Sequence, residues 1–325
     1  MKDTSQTVSA PDPVLAVASG PAVPAVAPGP RRPRTSQWAA WGFLAPVTVY
    51  LLVCYAYPLY QNLDLSLHDY TVASFVYGGA PFTGLANYVT VLHNPTFVPA
   101  LLHTVIFTAA SLALQFAIGL ALAVFFRQHF RLSVTLRALF LIPWLLPLIV
   151  SASTWSWLFN SESGVVNYVL HLLGVGPVDW LTSPQWSLAS VTIANIWIGI
   201  PFNLVLLYSG LQNIPATLYE AAALDGAGPW QRFRHLTFPL LRPVSAITLL
   251  LGLIYTLKVF DVIWIMTRGG PVDSSTTFAT WSYRLGFGSL LPEFGQAAAV
   301  GNLLVIIALA FGLLYIRSQR KAQVS

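Results

Sequence analysis

The sequence is poor in charged residues and in cysteine. Asp, Glu, Lys and Arg make up 8% of its 325 residues, whereas soluble domains carry about 25%. With 56% hydrophobic residues, the chain has too little polar surface to stay in water, so we expect lipid to surround much of it. The single cysteine, Cys54, excludes an intrachain disulfide.

Motifs of enzymes and of nucleic-acid-binding proteins are also missing. The chain has no Gly-x-x-x-x-Gly-Lys-Ser/Thr loop and therefore no phosphate cradle for ATP. It has no His-Glu-x-x-His motif or paired Cys/His spacing, and its six histidines are scattered. The sixteen basic residues lie in small groups between apolar runs, a pattern that does not favour nucleic acid as a partner. We expect no catalytic residues, no metal site and no cofactor bound by this chain.

Six long apolar runs dominate the rest of the sequence. Each has the roughly 20 residues that cross a bilayer core, and at that length only helices satisfy their own backbone hydrogen bonds in lipid. We predict an all-α integral membrane protein whose six transmembrane helices lie at 38–60, 104–126, 138–159, 187–212, 244–267 and 294–316. Residues 38–316 then form one transmembrane domain, 1–37 a disordered tail rich in Ala and Pro, and 317–325 a short C-terminal tail.

The basic residues predict how the chain is oriented. One set of segments contains Arg31, Arg32, Arg34, Arg127, Arg131, Arg137, Arg232, Arg234, Arg242, Arg317, Arg320 and Lys321. The alternate loops contain no Lys or Arg in 61–103 and 160–186, and only Arg268 and Arg284 in 268–293. Because Lys and Arg favour the cytoplasmic side, we predict that both termini are cytoplasmic. The expected location is the inner or plasma membrane of a bacterium.

The inner segment 213–239 has a pattern of its own. Residues Leu218 to Asp225 favour a short helix that Gly226 ends. The glycines and Pro229 predict a turn, followed by a second short helix with an Arg-rich face that runs to Pro239. Such an element is either a rigid lever that another protein grips or a simple connection, and the residue pattern alone leaves both readings open.

The same segment resembles the signature loop of ATP-binding-cassette (ABC) importer permeases. That signature is Glu-Ala-Ala, three residues, Gly, nine residues, Ile, one residue and Leu-Pro. This chain has Leu236 and Phe238 in place of Ile and Leu, and both substitutions keep an apolar side chain. In that family the loop forms coupling helices that dock in a cleft of the ATP-hydrolysing subunit. The resemblance implies that the ATPase-coupling residues are Glu220, Ala221, Ala222, Asp225, Gly226, Arg232 and Pro239.

Further motifs resemble the carbohydrate importers of the maltose-permease type, a branch that includes glycerol-3-phosphate permeases. They are residues 84–88 (GLANY), Gly164 with Asn167 and Gly174, 179–181 (DWL), 257–264 (LKVFDVIW), 269–271 (GGP) and 274–276 (SST). The resemblance implies three kinds of partner protein: a second, similar permease, an ATPase dimer that binds ATP and Mg, and an extracytoplasmic solute-binding protein. The large extra domain of the maltose permease itself has no counterpart here.

The resemblance implies a mechanism of alternating access. The loaded binding protein docks on the outer loops, including 61–99 and 160–186, and ATP binding in the partner moves the 213–239 loop. The expected solute is a disaccharide or oligosaccharide. Glycerol-3-phosphate or a related phosphodiester is the alternative, since Lys258, Arg268 and Arg284 could suit an anion. An ion-coupled secondary transporter or a membrane enzyme remains open from composition alone, although the inverted repeats or catalytic cluster that these would need are not visible.

Polar and aromatic residues inside the apolar runs are the candidates for the solute pathway. Lys258 and Asp261, three positions apart in the fifth run, are predicted to be neighbours on one helix. Charges inside a bilayer usually face the bundle interior and act on solute, although the two could instead pair only to hold shape. The other candidates are Asn195, Trp197, Asn203, Tyr255 and Trp264, whereas Trp155 and Trp157 are expected to be interface anchors.

The prolines of the third and fourth apolar runs are candidates for helix kinks. Pro143 and Pro147 lie in the third run and Pro201 in the fourth. Each removes a backbone donor and can kink its helix. The kinks indicate either a bent, moving pore wall or proline that neighbouring membrane helices simply tolerate.

Overall fold

A computed structural model describes residues 35–128 and 130–324. Within these ranges the chain is helical, and the extended pairing is an isolated bridge between His68 and Phe82. The chain divides into two compact units, Met1–Tyr55 and Ala56–Ser325. In the first unit, helix α1 (Thr35–Leu51) starts inside the predicted tail, most of which lies outside the described residues. A π-helical turn (Leu52–Ala56) follows it.

The second unit contains the remaining helices. They are α2 (Tyr57–Ser66), α3 (Val72–Tyr77), α4 (Ala86–His93), α5 (Phe97–Phe126), α6 (Ser133–Phe140), α7 (Ile142–Leu145), α8 (Leu148–Leu158), α9 (Val165–Leu172), α10 (Ser187–Gln212), α11 (Ala216–Leu224), α12 (Pro229–Arg232), α13 (Phe238–Leu257), α14 (Asp261–Met266), α15 (Phe278–Phe287) and α16 (Phe294–Val324). A second π-helical turn, Phe233–Thr237, joins α12 to α13.

The described residues contain six membrane spans when one bent helix pair is taken as a single span. Five are continuous: Trp41–Ser66, Phe97–Phe126, Ser187–Gln212, Pro229–Leu257 and Phe294–Arg317. The sixth joins Ser133–Leu145 to Leu148–Leu158 through a bend of 96°. The predicted all-α membrane fold is confirmed, and the run predicted as a third straight helix is a broken one.

The break in the third span follows from its prolines. Pro147 disfavours helical geometry at the residue before it, and Leu146 is extended (φ −73°, ψ 142°). Pro147 then caps α8, and Pro143 lies in the first turn of α7, where its missing N–H costs no helical hydrogen bond. The prolines therefore determine where this span breaks.

The fifth span differs from its prediction at both ends. The expected second short helix of the 213–239 loop is wrong, because the chain runs helically from Pro229 to Leu257. Pro239 cannot donate to the preceding turn, and the π-helical turn Phe233–Thr237 lies where that hydrogen bond is missing. At its other end the helix stops at Lys258 (φ −92°, ψ 5°) and α14 starts at Asp261. The two charges are therefore not neighbours on one helix.

Helices α5 and α10 form the centre of the second unit, and glycines bring them together. A Cβ on Gly119 would lie 2.5 Å from the Cβ of Asn203, and one on Gly199 would lie 2.3 Å from the Gln115 side chain. Small residues allow this close approach where lipid provides no hydrophobic drive for helices to associate. Near one end of the pair, a cluster of apolar side chains joins α5, α10 and α13: Ala123, Phe126, Leu204, Leu207, Leu211, Ile214 and Leu241.

Two asparagines from the family motifs organise the connecting loops. Asn87 donates to the carbonyls of Ser66 and His68 (3.0 and 2.9 Å). Asn167 donates to the carbonyls of Ser161 and Val178 (3.0 Å each) and accepts from the Trp180 indole (2.9 Å). Each amide replaces backbone pairing that an irregular loop lacks.

A third loop is held by charge. Asp273 in the 268–277 loop forms a bidentate pair with Arg284 on α15 and accepts hydrogen bonds from Thr276 (3.1 Å) and Thr96 (3.3 Å). The hydrogen bond from Arg284 is the main cause that holds the pKa of the Asp273 carboxyl below its usual value, against the opposing effect of partial burial. Arg284 is therefore a structural partner of this loop.

Candidate functional site

A cavity of about 450 Å³ lies where the third span breaks and where the fifth span ends before α14. Its wall combines the bend between α7 and α8, the middle of α10 and the junction of α13 with α14. The lining residues are Gln115, Pro143, Trp144, Leu146, Leu148, Asn195, Ile198, Gly199, Phe202, Gly252, Tyr255, Thr256, Lys258, Val259, Asp261 and Val262. Both helix breaks thus expose backbone and polar groups to one space, as membrane transport sites require.

The two charges of the fifth apolar run both line this cavity. Lys258 and Asp261 are exposed; Lys258 directly follows the last residue of α13, and Asp261 is the first residue of α14. The Lys258 ammonium lies 5.0 Å from the centroid of the Tyr255 ring, a cation–π contact. Among the described residues the ion pairs are Asp64 with His68 and Asp273 with Arg284. Lys258 and Asp261 do not pair with each other, so the reading in which they pair only to hold shape is not supported.

An aromatic surface forms one side of the cavity. The Trp144 ring centroid lies 6.2 Å from that of Phe202, which lies 5.6 Å from that of Tyr255, and both pairs meet edge to face. Trp144 is 52% exposed and Tyr255 53% exposed. In an edge-to-face pair only one ring presents its face to the other, so each contact leaves at least one face of both rings uncovered. The surface therefore offers apolar faces to a ligand beside the two charged groups.

Another part of the cavity wall is polar and held by hydrogen bonds. Gln115 donates to the carbonyl of Asn195 (2.9 Å), and the Asn195 amide donates to the Ser111 hydroxyl (2.9 Å). All three side chains are buried. Because interhelical hydrogen bonds hold α5 against α10 here, Asn195 lines the cavity mainly as a fixed wall.

Three of the predicted pathway residues lie outside this cavity. Asn203 is fully buried and donates to the carbonyl of Gly199 (3.0 Å). Trp197 packs edge to face on Trp155, with ring centroids 5.9 Å apart. Trp264 packs in one aromatic cluster with Phe260 and Tyr283, which also contact each other. The two predicted interface anchors also differ, since Trp155 packs against a core cluster whereas Trp157 is exposed.

Sequence reasoning missed several lining residues. Gln115 is the one amide in the apolar run 104–126, and a polar side chain in such a run is a usable signal. Trp144 lies between the two prolines of the third run, where a break presents side chains to a cavity. Phe202 gives no comparable signal, because many aromatic residues of this chain occur in apolar runs.

The candidate coupling residues lie on a separate surface. Glu220 and Ala221 are exposed on helix α11, which is followed by exposed Asp225 and Gly226. Gly226 has a left-handed backbone (φ +77°), as the predicted helix end requires. Leu224 is 90% exposed and Trp230 is 70% exposed, so this surface presents large apolar side chains beside its carboxylates. Ala222, Arg232 and Pro239 are half-buried.

Residues 115–323 match a family described as the binding-protein-dependent transport system inner membrane component. The chain belongs to this family. The predicted resemblance is thereby confirmed, and the chain is the membrane-spanning permease component of an ABC importer. This family membership rules out the reading as an ion-coupled secondary transporter.

Other members of this permease family are similar over most of their length. The trehalose/maltose transport system permease protein MalF of Thermococcus litoralis is 36% identical over 281 residues, covering 85% of this chain and 92% of the relative. The sulfoquinovosyl glycerol transport system permease protein SmoG of Agrobacterium fabrum is 34% identical and covers 82% and 89%. The lactose transport system permease protein LacF of Rhizobium radiobacter is 33% identical and covers 86% and 94%.

The fold of this permease has a counterpart among solved structures. A chain of a bacterial ABC transporter that imports the acidic polysaccharide alginate superposes with a TM-score of 0.75 at 24% identity. The match covers 88% of this chain and 96% of the alginate transporter chain. At this identity the likeness shows a shared fold.

Proposed function

We propose that this permease translocates a neutral disaccharide or oligosaccharide that a solute-binding protein delivers. The observation that carries the proposal is the cavity at the two helix breaks, where aromatic faces lie beside Lys258 and Asp261. Its volume of about 450 Å³ is within the range of small-molecule sites. The three relatives named for trehalose/maltose, sulfoquinovosyl glycerol and lactose transport support a sugar.

Sugar chemistry fits the two kinds of surface in this cavity. The C–H faces of a pyranose can stack on the exposed rings of Trp144 and Tyr255. Its hydroxyl groups can accept from the Lys258 ammonium and donate to the Asp261 carboxylate. The two charges are unpaired with each other, so both are available to a neutral, polyhydroxylated solute.

We also propose how the permease works within its complex. A second permease completes the pathway, an ATPase dimer binds ATP and Mg on the cytoplasmic side, and both termini of this chain lie on that side. ATP binding moves the 213–239 loop through Glu220 and Gly226, and the spans then open the cavity outward. The exposed apolar and acidic surface of α11 supports this docking role.

Glycerol-3-phosphate or a phosphodiester is the second candidate solute, because the cavity contains one cation. Lys258 lines it, whereas Arg268 and Arg284 do not, and Arg284 is paired with Asp273. A phosphate would face Lys258 and Asp261 together, and a carboxylate opposes an anion. The neutral sugar is therefore favoured.

The test is solute-stimulated ATP hydrolysis by the complex, purified through a tag on this chain and reconstituted in lipid nanodiscs with its binding protein. We expect one sugar from a panel of disaccharides and glycerol phosphates to stimulate hydrolysis, and only when the binding protein is present. Stimulation by a glycerol phosphate alone would select the second candidate. A tagged chain that co-purifies with no ATPase would contradict the proposal.

Variants of the cavity refine the test. Trp144→Ala and Tyr255→Ala each remove one stacking surface, and we expect about two- to tenfold weaker sugar stimulation. Trp157→Ala is the matched control, since Trp157 is exposed but does not line the cavity. Equal effects of all three changes would show that the cavity does not bind the sugar.

A further inference from the structure

Helix α11 is exposed along nearly its whole length. Of its nine residues, Tyr219 and Ala222 are half-buried and the others are exposed. These two are three positions apart and therefore share one face of the helix. The side chain of Ala222 is only a methyl group. Tyr219 is therefore the large side chain on the half-buried face of this helix.

Tyr219 contacts two membrane-spanning helices. The Arg127 guanidinium, just past the end of α5, lies 3.6 Å from the centroid of the Tyr219 ring. The Tyr219 hydroxyl lies 2.9 Å from the Thr237 hydroxyl. Because the Thr237 hydroxyl donates to the carbonyl of Arg232 (3.3 Å), Tyr219 is the donor to Thr237. One side chain thus joins α11 to the end of α5 and to the turn before α13.

Tyr219 lies between an apolar cluster, a cavity and a π-helical turn. Its ring packs against the cluster that contains Phe126, Leu207 and Leu241. Beside that cluster lies a cavity of about 970 Å³, which α11 lines together with α5 and the π-helical turn. Thr237 is buried and ends the π-helical turn Phe233–Thr237. Such turns are local weak points where a helix can change its winding.

We infer that Tyr219 is the positioning residue that couples α11 to the spans, through its ring on Arg127 and its hydroxyl on Thr237. The inference rests on the proposed function, in which α11 moves with the ATPase. A helix that is attached only through its flanking turns would swing on Pro215 and Gly226. With Tyr219 in place, the movement of α11 acts on the end of α5 and on the π-helical turn that leads into α13.

The decisive readout is the number of solute molecules transported per ATP hydrolysed by the complete complex in liposomes. Tyr219→Phe keeps the ring over Arg127 and removes the hydroxyl, and Thr237→Val removes the partner hydroxyl. We expect each change to lower the transport ratio about threefold, which corresponds to the net free energy of one hydrogen bond. The double variant should lose no more than either single variant, because both changes remove the same contact.

Tyr208→Phe is the matched control. Tyr208 lines the same cavity and has an arginine, Arg137, 4.4 Å from its ring centroid. Within the described part of the chain its hydroxyl has no hydrogen-bond partner. We therefore expect an unchanged transport ratio in this variant.

Two outcomes would overturn the inference while leaving the proposed function intact. One is wild-type uptake, hydrolysis and ratio in both Tyr219→Phe and Thr237→Val. The other is a parallel fall of uptake and hydrolysis at an unchanged ratio, which would indicate lost stability. Should one variant fail to assemble, the other removes the same hydrogen bond from the opposite side. A wild-type complex without solute-stimulated hydrolysis would reject the proposed function and this inference together.

Discussion

Single polar side chains do most of the positioning in this permease. Asn87 and Asn167 each satisfy several groups of an irregular loop, and the amides of Gln115 and Asn195 join two spans. An unsatisfied polar group is most costly where water is absent. Loss of any of these amides would therefore leave polar groups unsatisfied and destabilise the fold.

Asp273 allows a prediction at the residue scale. Because its pKa is lowered in the folded chain, its contribution to stability is present above the unfolded value of 3.8 and is lost as the pH falls through the folded pKa. Asp273→Asn should lower the free energy of unfolding by about 1 kcal/mol or less at pH 7, since the pair with Arg284 is partly exposed to solvent.

Melting temperature between pH 7 and pH 3 is the measurement. The difference between wild type and Asp273→Asn should be constant down to about pH 4.5 and shrink below the ordinary aspartate pKa. Glu162→Gln is the control, because it removes an exposed carboxylate that has no side-chain partner in the described part of the chain. A difference that grows as the pH falls would contradict the sign of this argument.

Breaks in helices shape the candidate site at the level of elements. The third span breaks before Pro147, and the helical path after the fifth span is interrupted between Leu257 and Asp261. Residues at both interruptions line the cavity, together with residues of α5 and α10. Residues at a break lose regular helical pairing, and a water-filled cavity is the place in a membrane where that loss is tolerated.

Gly226, at the end of α11, supplies the element-scale prediction. Its φ of +77° is strained for residues with a Cβ, although a Cβ there meets no atom within 4 Å. Gly226→Leu should leave assembly intact, preserve part of the ATPase activity and abolish uptake. Gly226→Asn should retain more uptake, because Asn tolerates the left-handed region better than Leu.

Uptake of labelled solute by the reconstituted complex measures this effect. Gly228→Ala is the control, since Gly228 has φ −70°, which any residue adopts. If Gly226→Asn and Gly226→Leu lose uptake equally, the cause would be a side chain that prevents close approach of the ATPase, and not backbone strain. Normal uptake by Gly226→Leu would remove the loop from the coupling mechanism.

At the scale of the whole molecule, the sites that matter lie at different depths. The candidate solute cavity lies at the helix breaks, and the candidate coupling surface on α11 lies near the ends of α5 and α10. The α5–α10 pair runs past both, held by Gly119, Gly199 and the interhelical amides. This close packing and hydrogen bonding connect the region of the cavity with the region of α11.

Orientation is the prediction at this scale, and the single cysteine makes it simple to test. Cys54→Ser gives a cysteine-free chain, into which Ser161→Cys or Thr217→Cys is introduced. A membrane-impermeant maleimide applied to whole cells should label Ser161→Cys and leave Thr217→Cys unlabelled until the cells are lysed. The reverse pattern would place the termini outside.

The sequence by itself determined the membrane fold, the number of spans and the family. Each follows from local quantities: the length of apolar runs, and a loop motif whose residues are contiguous in the chain. Even the break at Pro147 follows from one ring that fixes its own backbone and restricts its neighbour. Tertiary structure alone decided that Trp144, Phe202 and Tyr255 form one surface, that Asn203 and Trp264 lie elsewhere, and that Tyr219 joins α11 to two spans. Those relations depend on how distant helices rotate and pack, and no local pattern encodes them.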